Sequence, residues 1–178
     1  NMPWDGCELW VGTFAGDGTL GEVERVAGGP EESIFQPEWS PAGELHFVSD
    51  RTGWWNLYRW RGGKVEPLWP LEAEFGKPQW SFSPSTYAFA SERLMVCSYV
   101  RQGSGQLACL NLTTGEATPV DTPYTEINEL RSGPGFAIFI AGSPTEPRSL
   151  VRLDLESGKL EVLRRSRQLT IGPGCLSI

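Results

Sequence analysis

Polar and apolar positions alternate with a period of two through much of the chain. In Glu44-Leu45-His46-Phe47-Val48-Ser49, one face carries Leu45, Phe47 and Ser49 and the other Glu44, His46 and Val48, as in a β-strand. Phe136-Ala137-Ile138-Phe139-Ile140-Ala141 is apolar on both faces, as expected of a strand packed between two layers. Such runs are short, and clusters of Gly, Pro, Asp and Asn separate them. Those residues supply the turn geometries that join strands. Long stretches with apolar residues at helical spacing are missing. The pattern predicts an all-β chain.

A repeat organises the strands. Glu38-Trp39-Ser40-Pro41 returns loosely as Gln79-Trp80-Ser81-Phe82, 41 residues on. A turn followed by a short strand recurs as Gly63-Lys64-Val65-Glu66-Pro67-Leu68, Gly115-Glu116-Ala117-Thr118-Pro119-Val120 and Gly158-Lys159-Leu160-Glu161-Val162-Leu163, at spacings of 52 and 43. Periods of this length with about four strands per unit are the mark of β-propeller blades. Strands are expected at 33–39, 44–50, 55–61 and 64–69, then at 79–90, 94–100, 106–112 and 116–120, then at 126–131, 135–142, 149–155 and 159–164. The corresponding units are a partial blade at 1–28, a blade at 29–70, one with an insertion at 71–122 and another at 123–166. The insertion is expected between Phe75 and Arg93. The fold expected is a partial β-propeller of about three and a half four-stranded antiparallel blades. Since closed propellers have four to eight blades, the chain reads as a piece of a longer ring. Uncovered blade faces of that kind would favour self-association.

Charge and candidate chemistry narrow the function. The net charge is −7, with 15 basic and 22 acidic residues and no basic stripe, which argues against a nucleic-acid partner. No run approaches the length of a membrane span, and residues 1–5 show no secretory leader pattern. Cys7, Cys97, Cys109 and Cys175 form no Cys-x-x-Cys pair and His46 is the only histidine, so neither a metal site nor a cofactor is expected. Cys97 and Cys109 flank the turn Gln102–Gln106 and should lie nearly opposite one another. Two buried thiols in a reducing cytoplasm are expected there, not a disulfide. No Gly-x-Ser-x-Gly elbow is present, and a lone strand histidine makes no triad. No residue is assigned a catalytic role.

The densest segment runs from Trp39 to Tyr58. Pro41 to Gly43 form a tight link between strands, and Asp50-Arg51-Thr52-Gly53 forms the next turn. Trp54-Trp55 follow it, and would bind a ligand if that turn lies at a propeller mouth. The string W-S-P-x-G-x-L-x-F-x-S-D-R-x-G-x-x-N-L-Y resembles the blade repeat shared by TolB-type propellers and the prolyl oligopeptidase family of serine peptidases. Longer strings, such as Glu31-Glu32-Ser33-Ile34-Phe35-Gln36-Pro37-Glu38-Trp39, Glu74-Phe75-Gly76-Lys77-Pro78-Gln79-Trp80 and Cys175-Leu176-Ser177-Ile178, resemble the acylaminoacyl-peptidase and dipeptidyl-aminopeptidase-like branch.

The resemblance implies a propeller of about seven blades capping a C-terminal α/β-hydrolase domain that holds a Ser-Asp-His triad. Residues 167–178 would begin the linker to that domain. The implied role is non-catalytic, with the propeller admitting short peptides and excluding folded proteins. Some dipeptidyl relatives hold a substrate's amino terminus with paired propeller carboxylates. Glu31 and Glu32 are the pair here, although their context departs from those relatives and adjacent residues of an extended segment face opposite ways. Glu31, Glu32, Trp54 and Trp55 are the candidate substrate-binding residues. The alternative is a TolB-like propeller that binds another protein.

Overall fold

The computed structural model describes residues 2–80 and 83–168. Among these, fourteen strands form four antiparallel sheets. Among the described residues there is no helix, and therefore none long and apolar enough to cross a membrane. Strands β1 (Glu8–Phe14) and β2 (Leu20–Gly28) form a two-stranded sheet. The first complete blade joins β3 (Ile34–Trp39), β4 (Leu45–Ser49), β5 (Asn56–Arg61) and β6 (Lys64–Pro67) in that order. The second joins β7 (Tyr87–Ser91), β8 (Leu94–Arg101), β9 (Ser104–Asn111) and β10 (Ala117–Val120), and the third β11 (Glu126–Gly133), β12 (Phe136–Ser143), β13 (Glu146–Asp154) and β14 (Leu160–Arg165). The chain is a partial β-propeller.

Alternation within second strands builds the stack. On β4, Phe47 packs with Ala27, Ile34 and Tyr58 toward the preceding sheet, while Val48 joins Phe35, Leu57, Tyr87 and Met95 toward the following one. On β8, Cys97 belongs to that second core and its neighbour Val96 to the next, with Leu130, Phe139 and Leu153. Each strand thus feeds two inter-blade cores, and each large buried side chain contributes about 1.5–3 kcal/mol of burial. On β12, Ala137, Phe139 and Ala141 are fully buried, whereas Ile138 and Ile140 on the far face are only half-buried.

First strands adjoin across blades and mark the inner side. The Gln36 amide bonds the Tyr87 carbonyl at 2.8 Å, and Tyr87 Oη donates to the Gln36 carbonyl at 2.6 Å. Leu130 N–H donates to the Ser85 carbonyl at 3.2 Å. Because successive strands are antiparallel, the β4–β5, β8–β9 and β12–β13 turns share one end of the stack with all connections between sheets. We call this end the connection face.

Two expectations are corrected. The extra length of the second unit lies in the connection 68–86, nineteen residues against five at 29–33 and 121–125. It is a packed strap, with Ala73 and Phe75 fully buried and Glu74 bridged to Val100 by backbone hydrogen bonds of 2.9 Å each way. Consequently β7 starts at Tyr87, not near residue 79. Trp39 ends a first strand whereas Trp80 precedes one, so the Trp-Ser likeness does not mark equivalent positions. Second, Cys97 pairs with Ala108 and Cys109 with Val96. The one-residue offset turns the two thiols to opposite faces of the sheet, and both are free. Cys175 and most of the expected linker 167–178 lie outside the described residues.

Candidate functional site

All four residues singled out from the sequence lie on the connection face. Glu31 is exposed in the turn closed by the Gly29–Glu32 bridge. Glu32 turns inward, where one carboxylate oxygen accepts bonds from Ser49 Oγ at 2.6 Å and Arg51 Nε at 2.9 Å. Arg51 also pairs with Glu32 through its terminal nitrogen at 2.8 Å and lies over the Tyr58 ring, 5.3 Å from its centroid. Burial works to raise the Glu32 pKa, but the bonds from Arg51 and Ser49 and the guanidinium charge outweigh it and hold the group below its ordinary value. Next to it, Asp50 accepts the Ser33 N–H at 2.7 Å. Glu32 and Asp50 therefore clamp the 50–53 turn to the start of β3. The two adjacent glutamates do not converge.

Trp54 projects from the turn, 40% exposed. Trp55 turns the other way. Its ring meets Phe35 edge-on at 6.2 Å and lies against Gly76, where a Cβ would overlap the indole. Its N–H donates to Glu74 Oε2 at 3.1 Å and its carbonyl accepts from Phe75 N–H at 2.7 Å. Buried Asn56 fixes the root of the strap, accepting from Leu71 N–H at 2.8 Å and donating to the Leu71 carbonyl at 3.0 Å.

These contacts open a cleft of about 360 Å³ lined by Trp4, Trp55, Glu74, Gly76, Pro78 and Trp80. Trp4 and Trp80 touch, with ring centroids 4.4 Å apart and planes at 51°. Trp4 is placed by Gly6, whose backbone runs so close to the Gly29 and Pro30 carbonyls that a Cβ would sit 2.6 Å from each oxygen. Lys77 also lines the cleft, but its ammonium donates to the Ile127 carbonyl at 2.7 Å and to Asn128. Burial lowers the Lys77 pKa, opposed by the charges of Glu126 and Glu129. Sequence reasoning missed Trp4, Glu74 and Trp80 as partners of Trp55. The Trp-Ser likeness draws Trp80 into the repeat, and no local signal joins residues 4 and 80.

His46 lies elsewhere, wholly buried, with Nδ1 3.0 Å from the Glu44 carbonyl and its ring edge-on to Phe89 at 5.0 Å. Among the described residues its Nε2 has no partner. No group of three or more His, Cys, Asp or Glu side chains gathers to hold a metal among them.

No family model matches the chain, and no curated protein matches it. Among solved structures, a puromycin-hydrolyzing peptidase of Mycobacterium tuberculosis is 30% identical over 99% of the chain with a TM-score of 0.91. A puromycin hydrolase complexed with PGG is 32% identical over 95% of the chain with a TM-score of 0.86. The chain spans 27% and 26% of these two proteins. A prolyl endopeptidase structure shares the fold at 18% identity over 96% of the chain, spanning 24% of that protein, with a TM-score of 0.69. The chain resembles part of these puromycin-hydrolysing peptidases in sequence and fold, and shares its propeller fold with part of a prolyl endopeptidase. TolB from Acinetobacter baumannii also shares the fold, at 18% identity over 83% of the chain and 35% of that protein, with a TM-score of 0.63. In this propeller the Asp50-Arg51-Thr52-Gly53 motif is a structural turn, and the Trp-rich cleft beside it is an apolar concavity of the connection face.

Proposed function

We propose that the chain is the non-catalytic propeller portion of a serine peptidase acting on short peptides, with the α/β-hydrolase domain outside it. The observation that carries this reading is the likeness of nearly the whole chain to two puromycin-hydrolysing enzymes about four times its length. In this reading the nucleophile belongs to the hydrolase domain, in keeping with a sequence that carries no Gly-x-Ser-x-Gly elbow. Strand β14 delivers the backbone to the connection face at Arg165, so a domain following in sequence would meet that face. The propeller then screens substrates by size, and Glu31, Glu32, Trp54 and Trp55 help orient the peptide. Glu31 is free to meet an amino terminus, while Glu32 acts through Arg51.

The test is hydrolysis of a short chromogenic peptide by the full-length protein, with and without a serine-directed organophosphonate. Cleavage abolished by the reagent is expected. A full-length protein that neither reacts with the reagent nor cleaves the peptide overturns the reading. A TolB-like interaction propeller is supported by shared fold alone.

A further inference from the structure

We infer that the cleft between Trp55 and the Trp4–Trp80 pair is a subsite for the guanidinium of an arginine side chain in a peptide. The inference deepens the reading of the connection face as the substrate side and rests on it. Three observations carry it. First, the walls are indoles, and indole faces attract cations most strongly among aromatic rings, with planar guanidinium stacking especially well on them. Trp80 is 76% exposed, so its indole is open to a ligand. Second, the charged groups lining the cleft favour a cation. Glu74 spends Oε2 on the Trp55 N–H. Among the described residues its Oε1 has no hydrogen-bond donor and remains for a ligand. Lys77 is drawn off to Ile127 and Asn128, leaving the carboxylate without a competing ammonium bond. Third, the cleft is preformed. Asn56 pins Leu71, the Glu74–Val100 bridge holds the strap, and Gly76 lets Trp55 lie down on it. A cation entering would displace none of these contacts, so little ordering cost opposes binding.

The probe is acetyl-Gly-Arg-Gly-amide, whose blocked ends remove any terminal charge. Its control replaces arginine with citrulline, which keeps the shape and loses the charge. Binding to the chain is followed through tryptophan indole N–H resonances. The expected result is movement of the Trp4, Trp55 and Trp80 signals by the arginine peptide, with at least about tenfold weaker binding of the citrulline peptide. Glu74→Gln should weaken the arginine peptide about tenfold. Trp80→Ala, at an exposed position, should weaken it about fivefold with the fold intact. Equal binding of both peptides, unchanged binding by Glu74→Gln, or shifts confined to other tryptophans would each overturn the proposal. The two readings separate cleanly. If the chain binds arginine as described but the full-length protein shows no serine-peptidase activity, the subsite stands and the peptidase reading fails. If the full-length protein cleaves peptides but Glu74→Gln leaves arginine binding unchanged, the reverse holds.

Discussion

The Trp55 indole lies directly on Gly76, and the contact joins the second turn of one blade to the strap leading into the next. Two backbone groups of Trp55 are tied to the same strap, through Glu74 and Phe75. The cleft wall and the inter-blade core around Phe35 and Phe75 are therefore one packed unit.

Gly76→Ala tests that unit. The new methyl must push the ring or the strap, an overpacking cost of about 1–3 kcal/mol. Urea unfolding should show that loss together with a change in tryptophan emission. Wild-type stability with an unchanged spectrum would mean that the ring moves aside freely.

Asn56→Ala should cost about 1–2 kcal/mol, because it leaves the part-buried N–H and carbonyl of Leu71 without their side-chain partner. The same variant should increase amide exchange through the 71–76 strap ahead of the strands. Exchange unaltered there would show that the Glu74–Val100 bridge alone holds it.

His46 gives a pH dependence with a definite sign. Burial is the main cause lowering its pKa, only partly opposed by the bond to the Glu44 carbonyl. The unfolded chain, with a histidine pKa of about 6.5, then takes up a proton more readily than the folded one. Stability from this group is present above that value and is lost as pH falls below it. The Tm should drop between about pH 7.5 and pH 5.5, and His46→Gln should reduce that drop. Equal slopes for the two proteins would remove His46 as the cause.

What was legible beforehand follows from what is local. The β4 and β12 strands announce themselves because their apolar residues sit at adjacent positions; on β4 both faces meet a core, whereas on β12 only the face of Ala137, Phe139 and Ala141 does. The fourth strands were marked by a Gly turn in each blade, at Gly63, Gly115 and Gly158. Long-range pairings were not legible. Glu32 meets Arg51 across nineteen residues, and Gln36 meets Tyr87 across fifty-one. Trp80 was misread because a tryptophan beside serine mimics the repeat, whereas its position is set by the strap. The Cys97–Cys109 expectation failed by one step of register, which in a sheet is enough to reverse a side chain.

Exchanging Glu31 and Glu32 for Gln in the full-length protein separates their roles. Glu32→Gln should destabilise the 50–53 turn by about 1 kcal/mol, and Glu31→Gln should leave stability unchanged while raising KM for peptides with free amino termini. A KM unaffected by Glu31→Gln removes it from the substrate path.

In the function proposed above, the propeller admits short peptides to a serine nucleophile and turns folded proteins away. The most direct measurement is kcat/KM of the full-length protein for a pentapeptide, free in solution and embedded in a stably folded domain. Efficient, organophosphonate-sensitive cleavage of the free peptide and none of the embedded one is expected. Comparable cleavage of both would contradict it.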